Sequence, residues 1–213
     1  MHAMRVVIFV LIALLAGCQP NKVEPPPPPA TTEHPATTEQ KAQVLEQNAA
    51  ADGEKATPSA AVIIKRTEAQ AVDPTGDKPL DDAITCLART IYWEARGEST
   101  AGMEAIANVV MNRLGHGGFP STVCAVVMQG HEKGTCQFSW WCDGRSDHAR
   151  EDEPYAIAKE IARRALNLEL PDRTDGALYF CLKNANPNWV TEYVKTAEID
   201  TFEFYKPRGD SAK

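Results

Sequence analysis

One window of the chain joins residue types that could perform acid–base chemistry: Ile91-Tyr92-Trp93-Glu94-Ala95-Arg96-Gly97-Glu98. Glu94 falls at the end of an apolar-periodic stretch, beside two large aromatics and just before a glycine turn. Aromatic neighbours desolvate a carboxyl group and raise its pKa, and a carboxylic acid still protonated near neutrality can act as a general acid. Taken alone, a Glu near a helix end beside Arg96 is usually a solvated surface residue. Gln137-Phe138-Ser139-Trp140 adds amide, hydroxyl and aromatic groups that suit sugar hydroxyls and sugar faces; as a bland alternative, the segment is a strand packing its rings into a core. Trp189, after Asn186-Pro187-Asn188, is a sugar platform or a core plug, and Asn112-Arg113 a helix-capping pair or a substrate contact. Glu98 reads more readily as a structural hydrogen-bond acceptor than as a second catalyst.

Helices must position these groups. Leu80, Ile84, Leu87, Ala88, Ile91 and Ala95 follow helical spacing, so a helix is expected over 79–96, started by Asp77 and Pro79 and broken by Gly97. A second starts at Ser99 or Thr100 and ends at Gly115; a short third starts at Ser121 or Thr122 and runs to Gln129. A fourth opens at Asp152 and Pro154 and ends before Pro171. Ala177–Cys181 and Phe202–Lys206 are short aromatic-rich runs that read as strands. Mostly helix with a small late sheet is an α+β layout.

Composition divides the 213 residues unevenly: of fifteen aromatics, only Phe9 precedes Tyr92. Arg5 and the apolar run Val6–Ala16 end at Leu15-Ala16-Gly17-Cys18, a run too short to span a bilayer and matched to a signal peptide. Residues 1–18 are therefore expected to be a lipoprotein signal resembling the bacterial lipobox, with lipidation at Cys18; a plain secretory signal is the alternative. Gln19 after the cysteine, by resemblance to diderm lipoproteins, favours the periplasmic face of the outer membrane. Residues 19–78, with Pro25–Pro29 and Thr/Ala/Glu-rich sequence, are expected to be a disordered tether, leaving 79–213 as the catalytic domain. The net charge of −7, of which the last 135 residues carry −5, disfavours nucleic-acid binding. A monomer is expected.

From Cys86 to Gly144 the chain reads CLARTIYWEARGES…GMEAIANVVMNRL…GFPSTVCAVVMQ…CQFSWWCDG. This closely resembles the SleB-type cell-wall hydrolases, the spore-cortex-lytic family, in particular the cysteine-bearing versions of diderm bacteria. Four ordered blocks carry the resemblance over about residues 83–206, with Gly176–Phe180, Pro187-Asn188-Trp189 and Phe204-Tyr205 agreeing later. It implies a lysozyme-like, lytic-transglycosylase-like α+β fold and cleavage of peptidoglycan at the β-1,4 MurNAc–GlcNAc bond. The first Glu of E-A-R-G-E is the family's catalytic acid, here Glu94. A transglycosylase needs only that acid; if water is added instead, Glu98, Asp143 and Asp147 are the carboxylates that could position it. Gln137, Phe138, Ser139, Trp140, Glu98, Trp93 and Trp189 are the substrate-binding candidates.

With Cys18 lipidated, five cysteines remain. Cys86, Cys124, Cys136 and Cys142 lie in or beside the family blocks, which implies two disulfides among them with the pairing open, and Cys181 is left as a free thiol. No metal and no cofactor are expected: Cys136-x5-Cys142 is too wide for a zinc knuckle, and His131-Glu132 lacks the second His of H-E-x-x-H, leaving His116 and His148 without a partner motif. The rival functions are a non-catalytic peptidoglycan-binding lipoprotein, and a metal-dependent amidase or peptidase acting on the peptide stems.

Overall fold

A computed structural model of the chain describes residues 35–51 and 57–209. The expected signal sequence and Cys18 lie outside the described residues. Among the described residues six α-helices precede a three-stranded sheet in the chain, so the α+β layout read from the sequence is present.

The central element is α3, Ala83–Ala95, which buries nearly its whole length. Asp82, rather than Asp77, caps it: the Asp82 carboxylate accepts the Thr85 N–H at 2.8 Å. The expected start at residue 79 fails because the amides of Asp77 and Lys78 are both given to the Asp73 carboxylate, at 2.9 Å each. Helix α4, Thr100–Arg113, starts at Ser99 as its sequence indicates, and α5, Val123–Val127, starts at Thr122; each cap side chain accepts an N–H of the first turn. Helix α6, Asp152–Leu166, lays Tyr155, Ala158, Ile161, Ala162 and Ala165 against the core.

The tether assigned to residues 19–78 does not hold for the described part of it. Helix α1, Thr38–Ala50, has a capping box between Thr37 and Gln40 and buries Ala42 and Leu45 to 0% and 1% exposure. Helix α2, Arg66–Ala71, follows, and Ile64, Ala69 and Val72 join the same core. Polar pairings secure the segment. The Glu46 carboxylate accepts the Val123 N–H at the start of α5 at 2.8 Å. The Asn167 side chain pairs with both the N–H and the C=O of Ile64. Asp73 forms a buried ion pair with Arg89 of α3 at 2.7 Å. Small apolar residues at helical spacing supply this burial without any aromatic.

Strand β1, Tyr179–Leu182, and strand β2, Tyr193–Ile199, both pair antiparallel with β3, Phe202–Pro207, in the order β1-β3-β2. Phe204 sits opposite Phe180, and Tyr205 opposite Tyr179. The register slips between Lys195 and Ala197, a bulge in β2. Two disulfides, Cys86–Cys124 and Cys136–Cys142, resolve the open pairing. Cys181 is free and half-buried.

Candidate active site

Glu94 occupies the last turn of α3, where the helix runs out into the Gly97 turn and its side chain meets two adjoining hollows. One, of about 470 Å³, is lined by Glu94, Arg113, Cys136, Gln137, Ser139, Tyr179, Phe180, Trp189 and Tyr193. The other, of about 240 Å³, is lined by Glu94 and Ser139 again, with Trp93, Trp140, Asp143, Asp147 and two arginines. A third hollow of about 300 Å³ shares Gln137 and Tyr179 with the first and continues it past His116 and Phe119. The three make one groove, and Glu94 stands part-way along it.

The Glu94 carboxyl is raised from 4.5 to about 7. Burial among these walls drives the rise, and the Arg113 charge opposes it. Half of such groups are protonated at neutral pH, which equips the side chain to donate a proton and then to take one back.

The groove walls come from four places. The segment 136–142 alternates: Gln137 and Ser139 face solvent in the cleft, while Phe138 and Trp140 are buried at 0% and 6% exposure. The Cys136–Cys142 bond closes this segment, whose 3-10 turn Ser139–Trp141 is held by the Trp141 and Cys142 amides donating to the carbonyls of Phe138 and Ser139. Opposite it, Trp189 in a 3-10 turn contacts the rings of Tyr179, Tyr193 and Tyr205 at centroid distances of 6.0, 5.4 and 5.4 Å. The loop 143–149 is tied back to α3, since Trp93 Nε1 and Arg89 Nη1 both donate to the Asp147 carbonyl, at 3.0 and 2.7 Å. Arg96 lies over the Trp93 ring at 4.7 Å and pairs with Glu151 at 2.6 Å, so it is a fixed part of the rim.

The structure thus gathers Glu94, Gln137, Ser139, Trp93, Trp140 and Trp189 around one groove. Two candidates fall elsewhere. Phe138 is a core residue, its ring against Phe180 and Arg113, because the period-two alternation turns it inward. Glu98 lies outside all three hollows and accepts the Thr201 hydroxyl at 2.7 Å, joining the chain after α3 to the β2–β3 turn. Asn112 is likewise structural, donating to Asp172, Thr174 and the Ala177 carbonyl. Asp143 and Asp147 do reach the groove, on the side of Glu94 away from the larger hollow.

Tyr179, Phe180 and Tyr193 are groove residues absent from the sequence-based candidates, and Arg113, read there as a helix cap or a substrate contact, lines the larger hollow as well. Tyr179 and Phe180 stood in a predicted strand, and that assignment carried no sign that the strand borders a cleft. Among the described residues no group of three or more His, Cys, Asp or Glu side chains is placed to hold a metal ion.

The family model described as Cell Wall Hydrolase matches residues 97–205. The chain belongs to the cell wall hydrolase family. The match begins three residues after Glu94, so the case for that carboxyl rests on the geometry above. The chain is 44% identical over 123 residues to the spore cortex-lytic enzyme of Oceanobacillus iheyensis, covering 58% of this chain and 41% of that one. It is 33% identical over 113 residues to the spore cortex-lytic enzyme of Halalkalibacterium halodurans, covering 52% of this chain and 30% of that one. It therefore spans well under half the length of these relatives. A solved catalytic domain of the Bacillus cereus SleB protein is similar at 29% identity with a TM-score of 0.48, covering 62% of this chain and 93% of that domain.

Proposed function

We propose that the chain cuts the glycan strands of peptidoglycan at the β-1,4 bond between MurNAc and GlcNAc by lytic transglycosylation, with Glu94 as the single acid/base. The observation that carries this reading is a half-buried carboxyl raised to about 7, set in a groove whose larger hollow is walled mainly by aromatic rings, an amide and a hydroxyl, with Arg113 its other charged side chain. Such walls suit a neutral sugar chain: rings for sugar faces, Gln137 and Ser139 for hydroxyl and acetamido groups. A groove open on both sides of Glu94 suits a polymer cut within its length. Membership of the cell wall hydrolase family supports the same substrate.

In this mechanism protonated Glu94 gives its proton to the glycosidic oxygen as the bond from C1 of MurNAc breaks. The Glu94 carboxylate then takes the proton of that sugar's 6-hydroxyl, whose oxygen bonds to C1 and closes a 1,6-anhydro ring. Glu94 ends protonated, ready for another turn. No second carboxylate is needed, in contrast to enzymes that activate water between two. The larger hollow has none besides Glu94. Asp143 and Asp147, across Glu94 from it, are where hydrolysis would find a base.

The setting proposed for this reaction is the periplasmic face of the outer membrane, through a lipid on Cys18, with the protein acting as a monomer. The lipobox-like sequence before Cys18 and Gln19 after it support the anchor. Among the described residues no helix is long and apolar enough to cross a membrane. Incubation of isolated sacculi with the chain, and with a Glu94→Gln control, tests the reaction. Soluble fragments ending in 1,6-anhydro-MurNAc from the first alone are expected; reducing ends would point to hydrolysis. Binding without release in both would make the chain a wall-binding lipoprotein.

A further inference from the structure

We infer that Arg113 is a positioning residue for Glu94, a buried guanidinium that stabilises the carboxylate formed each time Glu94 releases its proton. This deepens the reading of Glu94 as acid/base and rests on it.

Arg113 closes helix α4, and its side chain is 2% exposed. Nε donates to the Leu178 carbonyl at 2.8 Å, which fixes the direction of the guanidinium. The rings of Phe119, Phe138 and Tyr179 surround it at 5.2, 5.1 and 5.7 Å. Ring faces accommodate a cation but exclude water. Nη1 is buried with no hydrogen-bond partner, a costly arrangement for a charged group if its purpose were packing. The same guanidinium lines the larger of the two hollows that Glu94 meets, and among the described residues it is that hollow's only basic side chain.

The need for a cation there follows from the site's own conflict. Burial keeps Glu94 protonated, which arms it, but the same burial resists formation of the carboxylate and weakens the acid. Other charged groups near Glu94 offer no compensation. Arg96, just beyond α3, is committed to Glu151; on the loop 143–149, Arg145 is 87% exposed, and Asp143 and Asp147 carry the wrong sign. Arg113 alone approaches from α4 in a water-poor setting, where a charge acts most strongly. Burial lowers the guanidinium only to about 10, so it remains charged throughout the working range.

The test compares Arg113→Gln, Arg113→Met and Arg113→Lys in the full chain. Glu94 is titrated by carbon-13 carboxyl NMR, assigned by its loss in Glu94→Gln, and the pH–rate profile is taken on sacculi. In the neutral variants the Glu94 midpoint and the alkaline limb should both move upward by about one pH unit. kcat should fall about tenfold with KM little changed, and Arg113→Lys should restore the midpoint. A fall in activity with the midpoint unmoved would overturn the proposal, as would failure of both neutral variants to fold, which would make Arg113 architectural. If the midpoint moves but the wild-type chain releases no glycan, the pairing stands and the glycan-cleaving function fails.

Discussion

Asp73→Ala offers the sharpest test of where the folded domain begins. Asp73 is 0% exposed, and its carboxylate takes five hydrogen bonds: Arg89 Nε at 2.8 Å and Nη2 at 2.7 Å, the Tyr155 hydroxyl at 2.6 Å, and the amides of Asp77 and Lys78 at 2.9 Å. Truncation leaves Arg89, itself 1% exposed, as a buried cation without a counter-charge. Breaking a buried pair from one side costs about 3–5 kcal/mol. For a domain of this size that is a fall in Tm on the order of 10 °C. Urea denaturation followed by circular dichroism reads it directly. Replacing both partners, Asp73→Leu with Arg89→Met, should cost less than Asp73→Ala alone, because no charge is stranded. Burial pushes the Asp73 carboxyl up, but the bonds from Tyr155, the Lys78 amide and Arg89 more than reverse this, and its pKa lies below the ordinary value. The ion pair's contribution is therefore present above the unfolded carboxyl's pKa, near 4, and is lost as pH falls through the lower folded value. A loss under about 1 kcal/mol in Asp73→Ala at neutral pH would refute the claim that this segment is integral to the domain.

Three further outcomes follow. A chain beginning at Pro79 loses Leu45, Ile64, Ala69 and Asp73 from the core and should be recovered unfolded or aggregated, which size-exclusion chromatography and circular dichroism would show. Cys136→Ser with Cys142→Ser removes a six-residue closure worth about 2 kcal/mol on chain-entropy grounds and frees the wall that carries Gln137 and Ser139; glycan release should fall with the Tm only modestly lowered, and unchanged release would show that the bond does not shape the groove. Glu94 is raised in the folded state, so the folded chain holds this proton more tightly than the unfolded one, and the stabilisation it gives at low pH is lost as pH rises from near 4.5 through about 7. Glu94→Gln should therefore gain stability relative to wild type by about 1–2 kcal/mol between pH 5 and pH 8, discounted for the group's partial exposure; equal stability at both pH values would contradict the burial of this carboxyl.

Residues whose environment is set by near neighbours in the chain were the legible ones. Tyr92-Trp93-Glu94 allowed a desolvated carboxyl, and the caps at Ser99 and Thr122 and the apolar face of α3 followed from spacing. What long-range pairing decides was not visible. The segment of α1 and α2 lacks aromatics and is polar on average, so composition marked it as tether; its burial depends on a few alanines, Leu45 and Ile64 meeting partners distant in the chain, as Ile64 does with Asn167, 103 residues away. Strand β2, with its bulge and polar Lys195-Thr196, carries little strand signal and is held in register by β3. In the site, the alternation Gln137-Phe138-Ser139-Trp140 marked Gln137 and Ser139 as exposed and Phe138 as buried, but not that Trp140, buried like Phe138, borders the hollow beside Glu94. Arg113 read only as a helix cap or a substrate contact, because its burial depends on three rings drawn from three other segments.

The central claim, that Glu94 drives glycan cleavage, is tested most directly by mass spectrometry of soluble products from purified sacculi incubated with the full chain and with its Glu94→Gln variant. Fragments ending in 1,6-anhydro-MurNAc, released by the wild type and absent from the variant, are the predicted result. Equal release by both proteins, or glycan release from neither, would contradict it.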